Sequence, residues 1–261
     1  MSYVTWSRRK DNANIAEIVL QREEVLNAFN TQMAKELIQA CEETVQQGDI
    51  RVVGLRSASP RAFCTGADLK ERNGMTEAQW HEQHRLFELM FYKLADLPMP
   101  TIAVVDGFAL AGGMELALNC DLWVVSTQAV FGLPEVTRGI MPGGGGTRLL
   151  ARRIGVHRAK EIVLSGKKFS ANEVAQMGLV NRLVEPQDLD AAFLDLAAPM
   201  SRNAPLALQY CKSAIDELTG IPDAQGRERE LYWYNKCVDT DDRHEGVRAF
   251  NEKREPRFAG K

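Results

Sequence analysis

Two glutamates stand where an acid is hard to place. Glu115 lies in the run Gly112-Gly-Met-Glu-Leu-Ala-Leu118, surrounded by Met114, Leu116, Ala117 and Leu118. An isolated buried carboxylate is costly, so an acid inside so apolar a helix must be hydrogen-bonded, paired or functional. The plain alternative is an exposed glutamate in the first turn, which the helix dipole favours. Glu135 follows Pro134 in the apolar segment Val130-Phe-Gly-Leu-Pro-Glu135, and its plain alternative is a solvated loop residue. Two carboxylates held close together resist ionising together, so one pKa rises and the pair can supply a base and an acid near neutrality. Their spacing along the chain does not by itself bring them together.

Two strand-to-helix turns could supply a complementary feature. At Gly66-Ala67 and at Gly112-Gly113 a small residue exposes the first backbone N–H groups of a helix. Such amides bind anions, and aimed at a carbonyl oxygen they form an oxyanion hole. A bulky side chain there would block close approach. Each turn taken alone is equally an ordinary helix start with glycine for turn geometry.

Other chemistries are not supported. The glycine run Gly143–Gly146 is followed by Thr147-Arg148, without the Lys-Ser/Thr of a phosphate-binding loop or the spacing of a dinucleotide site. His81 and His84 are one residue too close for a zinc HExxH pair and read as helix-surface or partly buried residues. His157 and His244 sit among charges with no companion nucleophile, so no metal site and no serine or cysteine triad is expected.

The elements that must position these groups follow from pattern. Tyr3–Trp6 and Ile15–Leu20 flank a polar Asp11-Asn12 turn and predict a hairpin. A helix is predicted over Thr31–Gln47, capped by Asn30 or Thr31, and a strand over Arg51–Leu55. The segment Ser57–Met75 reads as a loop with a helix opening at Ala67-Asp68. Thr76-x-x-Gln79 is a capping box for a long helix ended by Pro98 and Pro100, and Ser170-x-x-Glu173 is another for a helix stopped at Gly178. The β-branched run Thr101–Val105 reads as a buried strand leading to a helix over Gly113–Asn119, with further strands at Leu122–Val125 and Leu179–Val184. From Asp188 onward only helices are predicted, over Leu189–Ala198 (stopped by Pro199), Pro205–Leu218, Gln225–Cys237 and Arg243–Lys253. Strands alternating with helices, then helices alone, predict an α/β core with a helical C-terminal region.

Composition narrows the classes. The 261 residues are 45% hydrophobic and 26% charged, with a net charge of −3, as in an ordinary globular protein. Lys and Arg are dispersed, so no nucleic-acid surface is expected. Five widely spaced cysteines, odd in number and without CxxC, favour a reducing cytoplasm over a disulfide framework. No apolar segment reaches membrane-spanning length, and the N-terminus lacks a signal core.

Taken in order, six stretches resemble successive blocks of the enoyl-CoA hydratase/isomerase (crotonase) family. They are Asn27-Ala28, Ala62–Arg72, Pro100–Asp121, Phe131–Thr147, Ser170–Val184 and Glu245–Phe258. The resemblance implies a spiral core of ββα units over residues 1–190 and a helical region over 191–261 used to form trimers, or hexamers built from two trimers. It gives the amides of Ala67 and Gly112 the thioester oxygen of an acyl-CoA, and makes Glu115 and Glu135 the paired hydratase acids. Gly143 matches a glycine whose N–H helps position the water. Ala62, Thr65, Gly66, Asp68, Leu69 and Lys70 fall on substrate-binding positions, with Thr65, Asp68 and Leu69 along the adenine and pantetheine path. Phe250 and Lys253 match positions that reach the nucleotide end, sometimes from a neighbouring subunit.

The implied reaction is hydration of a 2-enoyl-CoA thioester in which coenzyme A belongs to the substrate and no other cofactor takes part. The motifs GADLKER, PGGGGT and EGVRAFNEKREP are especially similar to the methylglutaconyl-CoA hydratase branch, whose acidic substrate would want a cation such as Lys70 or Arg72. An isomerase, decarboxylase or thioesterase on the same scaffold is the alternative, and a non-catalytic RNA- or protein-binding relative is a different class. The helix matching the lysine-rich RNA-binding one in this branch carries Lys35 as its single lysine, so that activity is not expected.

Overall fold

The computed structural model describes residues 2–261. Strands β1 (Val4–Arg8) and β2 (Ile15–Leu20) form the expected antiparallel hairpin. Its turn is fixed by Asn12, whose Oδ1 accepts the Asn14 amide at 3.1 Å in an Asx turn. Helix α1 (Thr31–Gln46) begins at Asn30, which accepts the Met33 amide at 2.9 Å and so satisfies one of the free donors of the first turn.

From here the chain alternates between two sheets. Strands β3 (Val52–Ser57), β5 (Thr101–Val105), β7 (Leu122–Ser126) and β10 (Arg182–Val184) run parallel and extend the hairpin into a six-stranded sheet of order β1-β2-β3-β5-β7-β10. Strands β4 (Ala62–Cys64), β6 (Phe108–Leu110), β8 (Val130–Gly132) and β9 (Phe169–Ser170) make a smaller sheet of order β4-β6-β8-β9. Each strand of the large sheet from β3 to β7 is followed by one of the small sheet and then by helix. The helices are α2 (Leu69–Arg72) with α3 (Glu77–Ala95), then α4 (Gly112–Leu118), then α5 (Gly146–Ile154) with α6 (Val156–Ser165). The ββα spiral implied by the resemblance is therefore the fold. The small sheet itself was not expected from pattern, because strands of two or three residues carry no readable alternation.

Strands β3, β5 and β7 are buried along most of their length, which is why they read as continuous apolar runs. One face of the large sheet is covered by α8 (Leu189–Ser201), whose Leu189, Phe193 and Ala197 pack on Ile15, Val52, Ile102, Val104 and Val124. Each buried large apolar side chain here contributes about 1.5–3 kcal/mol. Contrary to expectation, α8 runs through Pro199 to Ser201. So near the C-terminus the proline removes only one intrahelical bond. The last turn is also pinned from outside, where Ser201 Oγ donates to Ala198 O and accepts Asn12 Nδ2 at 2.8 Å.

Both capping boxes form, at Thr76 before α3 and at Ser170 before α7 (Ala171–Gln176). Helices α9 (Pro205–Leu218), α10 (Asp223–Val238) and α11 (Asp241–Glu252) follow. Lys212 of α9 reaches the core, bonding Asp121 and the Leu97 carbonyl at 2.8 Å each. Among the described residues no helix is long and apolar enough to cross a membrane, and no group of three His, Cys, Asp or Glu side chains is placed to hold a metal ion.

Candidate active site

Strands β4, β6 and β8 lie side by side and parallel, so their C-terminal ends share one edge of the small sheet. Just past those ends stand Gly66-Ala67, Gly112 and Glu135. The topology thus gathers three candidate groups that are far apart in sequence.

The first two form a cradle of amides. A Cβ on Gly66 would lie 3.0 Å from the Gly112 nitrogen, and one on Gly112 would lie 2.6 Å from Phe29 Cζ and 3.5 Å from Gly66 Cα. No larger residue fits at either place without displacing its neighbours. Phe29 donates its amide to Gly66 O at 2.8 Å, and Asp68 donates its own to Phe29 O at 2.9 Å. That pairing leaves the Ala67 amide outside the ladder. Among the described residues, no hydrogen bond within the chain uses the amide of Ala67 or of Gly112. Ala111 holds φ 51°, ψ −130°, a conformation that costs about 1–3 kcal/mol and orients the peptide carrying the Gly112 N–H. Its own amide donates to Gly132 O at 2.8 Å, tying the cradle to β8.

Behind the cradle Asn27 is fully buried and fully used. Its Nδ2 donates to Ser57 Oγ, Ala62 O and Phe63 O, and its Oδ1 accepts the Arg22 amide at 2.6 Å. Asparagine suits the positive φ of 54° that this position requires.

The two glutamates are both buried, so the exposed readings of each are excluded. Glu115 Oε1 accepts the amides of Gly144 at 2.7 Å and Gly146 at 2.8 Å. The glycine loop is in turn tied to α4 by Asn119 Nδ2, which donates to Gly144 O and Glu115 O at 2.7 Å each. Burial raises the Glu115 carboxyl above its ordinary value, while the two amides oppose that by stabilising the anion. Glu135 sits in a single 3-10 turn, Pro134–Arg138, and its Oε2 is buried with no partner. Burial pushes Glu135 up to about 7, reinforced by the charge of Glu115. The loops meet at Gly146, where a Cβ would lie 2.9 Å from Leu133 Cδ1 and 3.0 Å from Glu115 Oε1.

Such a site can hold an oxyanion on amides while one carboxyl accepts a proton and the other donates one. A profile of enoyl-CoA hydratase/isomerase sequences matches residues 10–261 of the chain.

The chain belongs to the enoyl-CoA hydratase/isomerase family.

A crystal structure of an enoyl-CoA hydratase from Bacillus anthracis superposes with a TM-score of 0.95 at 35% identity, covering 100% of both chains. The human enoyl-CoA hydratase domain-containing protein 2, mitochondrial, is 41% identical, over 95% of this chain and 86% of that protein. The human methylglutaconyl-CoA hydratase, mitochondrial, is 36% identical, over 96% of this chain and 75% of that protein.

Within that family frame the remaining expected residues are distributed unevenly. Gly143 is exposed, and its amide enters no hydrogen bond within the chain among the described residues. The glycines that bond a catalytic candidate are Gly144 and Gly146, which sequence reading missed because a run of four glycines does not reveal which amide turns inward. Ala62 is buried in β4 with its carbonyl taken by Asn27. Thr65 donates to Leu26 O at 3.3 Å. Asp68 caps α2 through the Lys70 amide at 2.9 Å and pairs with Arg22 at 2.7 Å. Leu69 and Lys70 are exposed on α2 beside the cradle. Phe250 and Lys253 lie at the end of α11, where Phe250 is 84% exposed, and α11's described side-chain bonds run largely to the C-terminal tail rather than to the cleft.

Proposed function

We propose that this chain adds water across the 2,3 double bond of a 2-enoyl-CoA thioester. The supporting observation is the unequal setting of two buried carboxyls, one anchored by two amides and the other left with an unpaired oxygen. Amide donors favour the ionised form of Glu115, so it serves as the base. The orphan oxygen and apolar surroundings favour the neutral form of Glu135, so it serves as the acid.

In this reading the thioester oxygen accepts the amides of Ala67 and Gly112. Water attacks Cβ and gives its proton to Glu115, and the electrons of the double bond move onto the thioester as an enolate. The two amides stabilise that charge, each donor being worth roughly 10²–10³ in rate. Glu135 then delivers a proton to Cα. Product release and proton exchange with solvent restore both acids. The trimer or hexamer implied by the resemblance belongs to the same reading, and sedimentation velocity checks it.

The test is hydration of crotonyl-CoA, followed by loss of conjugated absorbance, in Glu115→Gln and Glu135→Gln. Each substitution keeps shape and removes proton transfer, and each is expected to lower the rate by roughly 10²- to 10⁴-fold. Undiminished hydration in either variant overturns the assignment.

A further inference from the structure

Asn119 closes helix α4 and holds the glycine loop with the same nitrogen. Its Nδ2 donates to Glu115 O and to Gly144 O, at 2.7 Å each. Both neighbours are carbonyls, so the side-chain nitrogen must face them, and its two hydrogens are both engaged. The bond to Glu115 O finishes the last turn of α4. The bond to Gly144 O does something that a helix end does not need.

That carbonyl belongs to the middle one of three successive peptides. The peptide before it carries the Gly144 N–H and the peptide after it the Gly146 N–H. Both amides donate to Glu115 Oε1, at 2.7 and 2.8 Å. Gly145 between them holds φ 109°, which glycine adopts freely. Two such amides converging on one oxygen make an anion-binding concavity. Glu115 and Asn119 stand four residues apart on one face of α4. Gly144 is thus joined to Glu115 twice, directly by its amide and from its carbonyl through Asn119 to the Glu115 carbonyl. Gly144 is buried, so without the Asn119 side chain its carbonyl would be stranded or the loop would turn.

The other groups near Glu115 do not stabilise its charge in this way. Burial raises its carboxyl, and the amides of Gly146 and Gly144 oppose that rise. Glu135 and Glu115 repel each other when both are ionised. Strand β4 brings the Cys64 thiol, which burial pushes up to about 12. Glu88 of α3 and Arg148 of α5 line a cavity against the loop, and Glu88 pairs with His84 at 3.1 Å.

We propose that Asn119 is a positioning residue for the base: by fixing the middle peptide it aims the two flanking amides at Glu115 Oε1. That Glu115 is a base rests on the hydratase reading, whereas the aiming of the amides stands on the loop geometry.

The test is the pH profile of crotonyl-CoA hydration in the wild type, Asn119→Ala and Asn119→Ser. Serine can still bond the Glu115 carbonyl one turn back, so it keeps the helix end and removes only the bond to the loop. If the amides lose their aim, Glu115 binds its proton more tightly. The acid limb of kcat/KM is then expected to rise by about one pH unit in both variants, a tenfold change in proton affinity. The alkaline limb, which follows Glu135, is expected to stay. An equal fall in rate at every pH, with both limbs in place, overturns the proposal and leaves Asn119 a helix cap. Unchanged profiles overturn it too. If Asn119→Ala does not fold, Asn119→Ser decides. If the wild type hydrates nothing, the reaction reading fails separately, and infrared difference titration decides instead. The protonated-carboxyl band that Glu115→Gln removes should then titrate about one pH unit higher in Asn119→Ser than in the wild type. An unmoved midpoint overturns the proposal.

Discussion

Glu135 exchanges the hydration of its carboxyl for an apolar turn and keeps one oxygen without a partner. Its proton affinity rises from an ordinary value of 4.5 to about 7, so between those values the folded chain binds a proton that the unfolded chain releases. The stability this group lends is complete below pH 4.5 and is lost as pH rises through about 7. The full swing is about 3 kcal/mol. Urea unfolding of the wild type and of Glu135→Gln, measured from roughly pH 5 to pH 8, should show the variant gaining on the wild type as pH increases. A constant difference would mean that the carboxyl titrates normally. Hydration should decline over the same rise, because an ionised Glu135 has no proton to give. Both acids stood out in the sequence by their apolar surroundings, but an exposed reading stayed open for each and only the family resemblance paired them. Their partners were not legible, because hydrogen bonds from Gly144 and Gly146 depend on how a loop folds back over α4.

The elements meet most tightly where α4 begins. Gly113 packs on β4 so closely that a Cβ would overlap the Cys64 carbonyl, and would lie 2.9 Å from Cys64 Cβ. Neither strand nor helix can retreat without breaking the small sheet. Gly113→Ala is therefore expected to destabilise the fold by about 3 kcal/mol and to abolish hydration by parting the two amides. Gly226, within α10, has nothing within 4 Å of where a Cβ would stand and supplies the control. Gly226→Ala should stabilise by about 0.5–1 kcal/mol. Thermal melts of the two variants check both signs. At this scale the sequence was informative wherever a side chain marks a boundary, as at Thr76, Ser170 and Asn30. It was silent on α5 and α6, whose starts follow glycines at 145 and 155 and carry no capping side chain. It also misled at Pro199, because tertiary bonds to Ser201 hold a helical turn that local propensity would end.

The whole molecule is closed by its tail. Glu245 is buried on α11, bonding Arg254 Nη1 at 2.6 Å and the Arg257 amide at 2.9 Å, with Arg248 alongside. These partners hold its carboxyl far below the usual range, Arg254 most strongly. Asp242 accepts the amides of Ala259 and Gly260, and Arg51 from the edge of β3 donates to Phe258 O at 2.6 Å. Glu245→Gln should release this segment, seen as faster tryptic cleavage after Arg254 and Arg257. Unchanged cleavage would show that Arg51 and Asp242 suffice. The spiral itself was legible only through family resemblance, since no periodicity in three-residue strands reveals which of two sheets they join.

The small sheet carries a consequence of its own. Because β4, β6 and β8 all end at one edge of the sheet, the two free amides and the Glu135 carboxyl are borne on different strand tips. On the proposed hydratase reading, replacing the tip after β8 would change what is done to a thioester while leaving intact the amides that hold it. A lineage could in this way acquire new reactions one peptide segment at a time, without ever rebuilding its foundations.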